Sequence, residues 1–192
     1  MKASVRKLTL TAHVSSSVGW LGAVLAFLVL ALAGLTSRNA DLVRGVYLAM
    51  NLLGQFVIIP LSLAALVTGL IQSLGSQWGL FRYYWVAVKF TLTVGATVLL
   101  LLHQLTAVSQ AARRAAGTLP GVLPEIGRLG TQLVVDAGLA VFVLLVTTVL
   151  SVYKPWGKTR NGLRVVLLLL GALILGFVVL HLAGGGLRGH GM

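Results

Sequence analysis

The chain has 192 residues, of which 58% are apolar and only 9% charged. Soluble domains carry about 25% charged residues, so this composition excludes an ordinary water-exposed surface. The charge balance is 15 Lys and Arg against 3 Asp and Glu, net +12, with no cysteine, which excludes disulfides, thiolate metal sites and iron–sulfur clusters.

A mean hydropathy of +0.99 points to lipid contact. The basic residues lie almost entirely between apolar runs, where cytoplasmic loops and anionic headgroups account for them; no nucleic-acid partner is expected. A hydrocarbon core of about 30 Å needs about 20 apolar residues in a helix. Stretches at roughly 10–35, 46–73, 83–107, 131–153 and 165–183 qualify. Lys89 and Asp136 are the only charged residues inside them. The expected fold is all-α: one domain over 1–192, an integral membrane bundle of five transmembrane helices.

Span one follows Lys2, Arg6 and Lys7 and aligns His13, Ser17, Trp20 and Val24 on one helical line. Ala31-Leu32-Ala33 resembles a signal-peptidase site, but the apolar run is too long for a typical signal peptide, so the span is read as retained. Span two contains Pro60, which predicts a kink or tilt, and aligns Asn51, Gln55, Ser62, Ala65 and Gly69. Span three aligns Lys89, Thr93, Ala96, Leu100, His103 and Ala107. The longest loop, about 108–130, is expected to hold a short surface helix over 111–116 before Pro120, Gly121, Pro124 and Gly127. Span four carries Gln132, Asp136, Ala140 and Thr147 on one stripe, and span five carries His181 near its end. The tail 184–192, opening on three glycines and holding His190, is expected to be flexible and solvated.

Lys2, Arg6, Lys7, Arg82, Lys154, Lys158, Arg160 and Arg164 fall on one side of this map. Their excess predicts a cytoplasmic N-terminus in a bacterial cell membrane. Ionisable groups inside membrane helices normally face the bundle interior and are functional candidates. By depth they sort into an inner pair, His13 and Lys89, and an outer trio, His103, Asp136 and His181. Histidine is the commonest ligand of metals and haem iron, so His13, His103 and His181 are candidate ligands, with Asp136 placed to orient a ring. Hydrogen bonding across a helix pair is the competing account, and Lys89 is equally suited to reaching the inner interface. The chain has no Ser-His-Asp order, phosphate loop or zinc motif, and no paired carboxylates for two-carboxylate hydrolysis.

A resemblance enters at these residues. Span one reads His13-Val14-Ser15-Ser16-Ser17-Val18-Gly19-Trp20-Leu21-Gly22, and span three Trp85-Val86-Ala87-Val88-Lys89. A histidine before Trp-x-Gly and a later Trp-x-x-x-Lys resemble the HemJ-type protoporphyrinogen oxidases and related CopD-like membrane proteins. Leu150-Ser151-Val152-Tyr153-Lys154-Pro155-Trp156-Gly157 resembles an uncharacterised actinobacterial multi-pass group of the same superfamily, a likeness running over most of the chain. The resemblance implies haem b with His13 as axial ligand, Lys89 as its partner or a propionate contact, and Trp20 in the motif beside it. The shared depth of His103 and His181, with Asp136 orienting a ring, makes them a candidate second site, so one or two haems are expected. Where the HemJ-type family carries Pro-Arg soon after Trp-x-Gly, this chain continues Ala23-Val24-Leu25-Ala26-Phe27, and it has five spans where that family usually has four. The expected function is electron transfer or redox sensing, with an oxidoreductase activity left open. Expected partners are the lipid bilayer, a quinone or other redox partner, and a second copy of the chain. The alternative is a cofactor-free membrane protein: a structural subunit, or a small-solute or copper-related permease with Asn51, Gln55, Lys89 and Thr93 lining its path.

Overall fold

The computed structural model describes residues 2–76, 78–162 and 164–172. Within them lie four helices long and apolar enough to cross a membrane: Ala3–Thr36, Ala40–Gly75, Tyr84–Gly117 and Arg128–Tyr153. They are called here the first to fourth helices. Helical backbone resumes over 164–172, inside the expected fifth span, whose remainder lies outside the described residues together with His181, His190 and the glycine tail.

The helix ends follow local chemistry. Residues 37–39 suffice to reverse the chain, because Asn39 caps the second helix: its side-chain oxygen accepts from the Leu42 amide at 3.0 Å, and Asp41 sits in the first turn. The second helix therefore begins six residues before its apolar run. Its predicted irregularity lies just ahead of Pro60. Proline has no N–H and its ring collides with the carbonyl four residues back. The chain answers with a π-turn at Gly54–Ile58, where the Ile59 amide bonds to the Gly54 carbonyl. A second π-turn, Gln104–Val108, interrupts the third helix.

The 111–116 segment corrects the expected surface helix. It continues the third helix, with Ala111, Ala112 and Ala115 buried while Arg113 and Arg114 face out. Small alanines let this last stretch pack closely on the start of the second helix. Arg44 crosses from the second helix to donate to the carbonyls of Thr118 (3.0 Å) and Ala116 (3.3 Å), capping the third helix's end.

The helices form a ring in chain order. The first packs on the second and fourth, and the third also packs on the second and fourth. The core draws Trp20 and Phe27 from the first helix, Tyr47 and Met50 from the second, Ala107 and Ala111 from the third, and Leu133 and Leu144 from the fourth. Leu8, Val18, Phe56 and Phe142 are each more than 60% exposed, so the outer face is as apolar as the core. Water would not tolerate that face; lipid would. At one end the loop before the third helix meets the segment after the fourth: the Thr159 amide donates to the Arg82 carbonyl at 2.9 Å. Trp78, Tyr83 and Trp85 stack edge to face there, with Lys154 Nζ 5.1 Å from the Trp78 ring centre. Arg82, Lys154, Lys158 and Arg160 thus gather with an aromatic cluster at the end of the bundle where the first helix begins.

Candidate functional site

The inner pair is in contact. His13 Nδ1 lies 3.0 Å from the Ala65 carbonyl and 3.2 Å from Thr68 Oγ1 on the second helix. A carbonyl oxygen only accepts, so the ring proton sits on Nδ1 and Nε2 keeps a lone pair. Lys89 Nζ, from the third helix, donates toward that lone pair at 3.4 Å. Gly69 makes this seat possible, because a Cβ there would stand 3.0 Å from His13 Cε1. The two nitrogens meet across the ring of helices, within half-buried surroundings.

The outer group is brought together in part. His103 Nδ1 and Asp136 Oδ2 stand 3.5 Å apart, joining the third and fourth helices. The Asp136 Oδ2 atom is buried and has no hydrogen-bond partner among the described residues. His181, the third expected member, lies outside the described residues. From Lys89 to His103 is 14 residues, about 21 Å along the helix at 1.5 Å per residue, so the two pairs are separate sites.

Between them lies a half-open cavity of about 180 Å³. Trp20, Val24 and Phe27 line it from the first helix, Leu92 through Gln104 from the third, and Leu133 through Val143 from the fourth. Its wall is apolar except for His103, Gln104 and Asp136 at one end. Trp20, expected beside a cofactor, is buried and forms part of this wall.

Gln104 escaped the sequence reading. It stands next to His103, so on a straight α-helix it would face about 100° away. The π-turn that begins at Gln104 accompanies its inward position. Its Nε2 donates to Asn51 Oδ1 (3.0 Å) and the Asn51 carbonyl (3.3 Å), and its amide packs directly on Gly54, where any Cβ would collide with it. The two π-turns are thus locked face to face by one glutamine. The signal available beforehand was a glutamine beside a histidine in an apolar run, opposite an Asn51 and a Gly54 at matching depth.

The expected permease stripe separates. Asn51 is held by Gln104, Thr93 bonds to its own helix at the Lys89 carbonyl (2.9 Å), and Gln55 points outward and is exposed. Among the described residues no three His, Cys, Asp or Glu side chains gather as a metal ion would require. No family model, curated protein or solved structure matches the chain, so the likeness to the HemJ-type and CopD-like proteins stands on its motifs alone.

Proposed function

We propose that this is a multi-pass protein of a bacterial cell membrane, N-terminus cytoplasmic, that holds b-type haem through His13 and serves electron transfer or redox sensing. The observation that carries it is the His13 ring: Nδ1–H is fixed on the Ala65 carbonyl, and the Nε2 lone pair faces a second nitrogen, Lys89 Nζ, at 3.4 Å. Axial histidines are oriented in this way, with the outer nitrogen tied to a backbone carbonyl. The basic residues collected at the inner end support the orientation.

The donor chemistry fits an iron, but neither His13 nor Lys89 lines the cavity of about 180 Å³, and Lys89 Nζ stands beside Nε2, so a porphyrin requires the helices to part there. Bound haem would supply a one-electron couple. The chain's own contribution is to hold the His13 tautomer with Ala65 and Thr68, to keep a cation, Lys89, beside Nε2, and to exclude water with apolar helices.

The same contact favours a second account. Lys89 already satisfies His13 Nε2, so the pair is complete as a hydrogen bond between helices and needs no cofactor. An absorption spectrum of protein purified from haem-replete cells separates the two. A Soret band with reduced b-type bands, lost in His13→Ala, supports haem. A colourless, folded protein selects the cofactor-free account.

A further inference from the structure

The half-open cavity has features that haem at His13 does not use, and the following is independent of that cofactor. We propose that it binds a single hydroxylated aromatic ring, a simple phenol, whose O–H donates to Asp136 Oδ2.

Size comes first. An apolar cavity of roughly 150 Å³ stays dry and takes up benzene. At about 180 Å³, this one holds a benzene-sized ring with room for a small substituent. The wall supplies the matching surface: Trp20, Phe27, Leu99, Leu100 and Val143 present aromatic and branched side chains.

Chemistry comes second. Gln104 spends only its Nε2, on Asn51; its Oε1 packs on Gly54 and is buried without a hydrogen bond among the described residues. His103 Nδ1 faces Asp136 Oδ2 at 3.5 Å, an ion-pair distance at which no hydrogen bond forms. Beside it Asp136 Oδ2 is the charged acceptor of the polar end, likewise buried without a hydrogen bond among the described residues. Such an oxygen calls for a donor. A water would meet the polar end but leave the apolar remainder of the wall uncovered. Benzene fits the wall and leaves the oxygen orphaned. A phenol does both, its ring against Trp20 and Phe27 and its hydroxyl on the carboxylate. A second hydroxyl at the far end would find no partner, so hydroquinone should bind more weakly than phenol. Leu139 lines the cavity and is 58% exposed, which gives the ring a route in from the bundle surface.

The test is ¹⁹F NMR on the full-length chain in lipid nanodiscs, with 4-fluorophenol and fluorobenzene as paired probes. The expected result is a saturable shift for 4-fluorophenol, displaced by unlabelled phenol, with fluorobenzene weaker by roughly tenfold. Asp136→Leu should erase that preference and leave fluorobenzene binding in place. Asp136→Asn keeps an accepting oxygen and should retain the preference, which covers the case where the leucine variant misfolds. Ala140→Phe fills the cavity and should remove saturable binding of both probes. Non-saturable partitioning of both probes in the native chain overturns the proposal, as does equal affinity for the two. Haem content is not a readout, so a colourless preparation rejects the haem account and leaves this one standing.

Discussion

The two ends of the bundle interior are opposite in hydrogen-bonding character. The inner end has surplus donors: Lys89 Nζ beside His13, and one turn beyond Gly69 the Gln72 Nε2, buried without a partner. The outer end has surplus acceptors: Asp136 Oδ2 and Gln104 Oε1, both buried without a hydrogen bond among the described residues. An apolar cavity separates them. Each such group costs about 1–3 kcal/mol unless water or a ligand meets it. The inner histidine is tied at both nitrogens and is prepared to hold something rigidly, whereas the outer carboxylate is tied at one edge and prepared to receive.

The sharpest way to break this contrast is to remove each end in turn. His13→Ala should drop haem content to background, while Asp136→Ala should leave most of it, measured as the Soret absorbance per mole of protein. Equal losses in the two variants would make the ends one site. Lys89→Met should fall between them: haem retained at lower occupancy, with the Soret band shifted because the neighbour of His13 Nε2 has changed.

The next effect concerns the lock between the π-turns. Gly54→Ala forces the Gln104 amide off Asn51 and should cost about 1–3 kcal/mol, read as an earlier unfolding midpoint in a mixed-micelle titration. Gln104→Ala in the same chain should recover part of that loss, with a coupling of about 1 kcal/mol in the double-mutant cycle. Additive losses would mean that the glycine and glutamine do not meet.

Arg44→Met should cost less, about 1 kcal/mol, through the exposed carbonyls of Ala116 and Thr118 at the end of the third helix. The smallest change is expected at Gln55→Leu, within about 0.5 kcal/mol, because that side chain faces outward. A transport defect from that variant alone would revive the polar path through the second helix.

Much of this arrangement was legible beforehand, and for definite reasons. A fixed rise of 1.5 Å per residue let His13 be levelled with Lys89, and His103 with Asp136, before any coordinates, and both pairs are in contact. Asn39 followed by Asp41 is a helix start written in residue types, although the apolar run placed the span's beginning later. The 111–116 segment misled because Arg113 and Arg114 broke the apolar run; the alanines at 111, 112 and 115 were the true signal of a packed face. Gln104 and the cavity were beyond reach of a periodicity argument. A constant 100° per residue cannot describe a helix whose turn widens, and the stripe drawn through Asn51, Gln55 and Ser62 crosses the π-turn, which is why Gln55 leaves it while Ser62 is fully buried.

Those two widened turns carry a consequence for how the chain tolerates changes in length. A π-turn closes on the fifth residue instead of the fourth, so each holds one residue more than the α-helix around it. Deleting a single residue from an ordinary stretch of helix rotates everything downstream by about 100° and turns the buried face toward lipid. Deleting one residue within Gly54–Ile58 instead lets the turn close as an α-turn, with Ser62, Ala65 and Gly69 keeping their bearing relative to Met50 and Tyr47, at the cost of restoring Pro60's clash with the carbonyl four residues back. The second and third helices therefore each contain one place where the reading frame of the fold, as distinct from that of the gene, has a residue to spare.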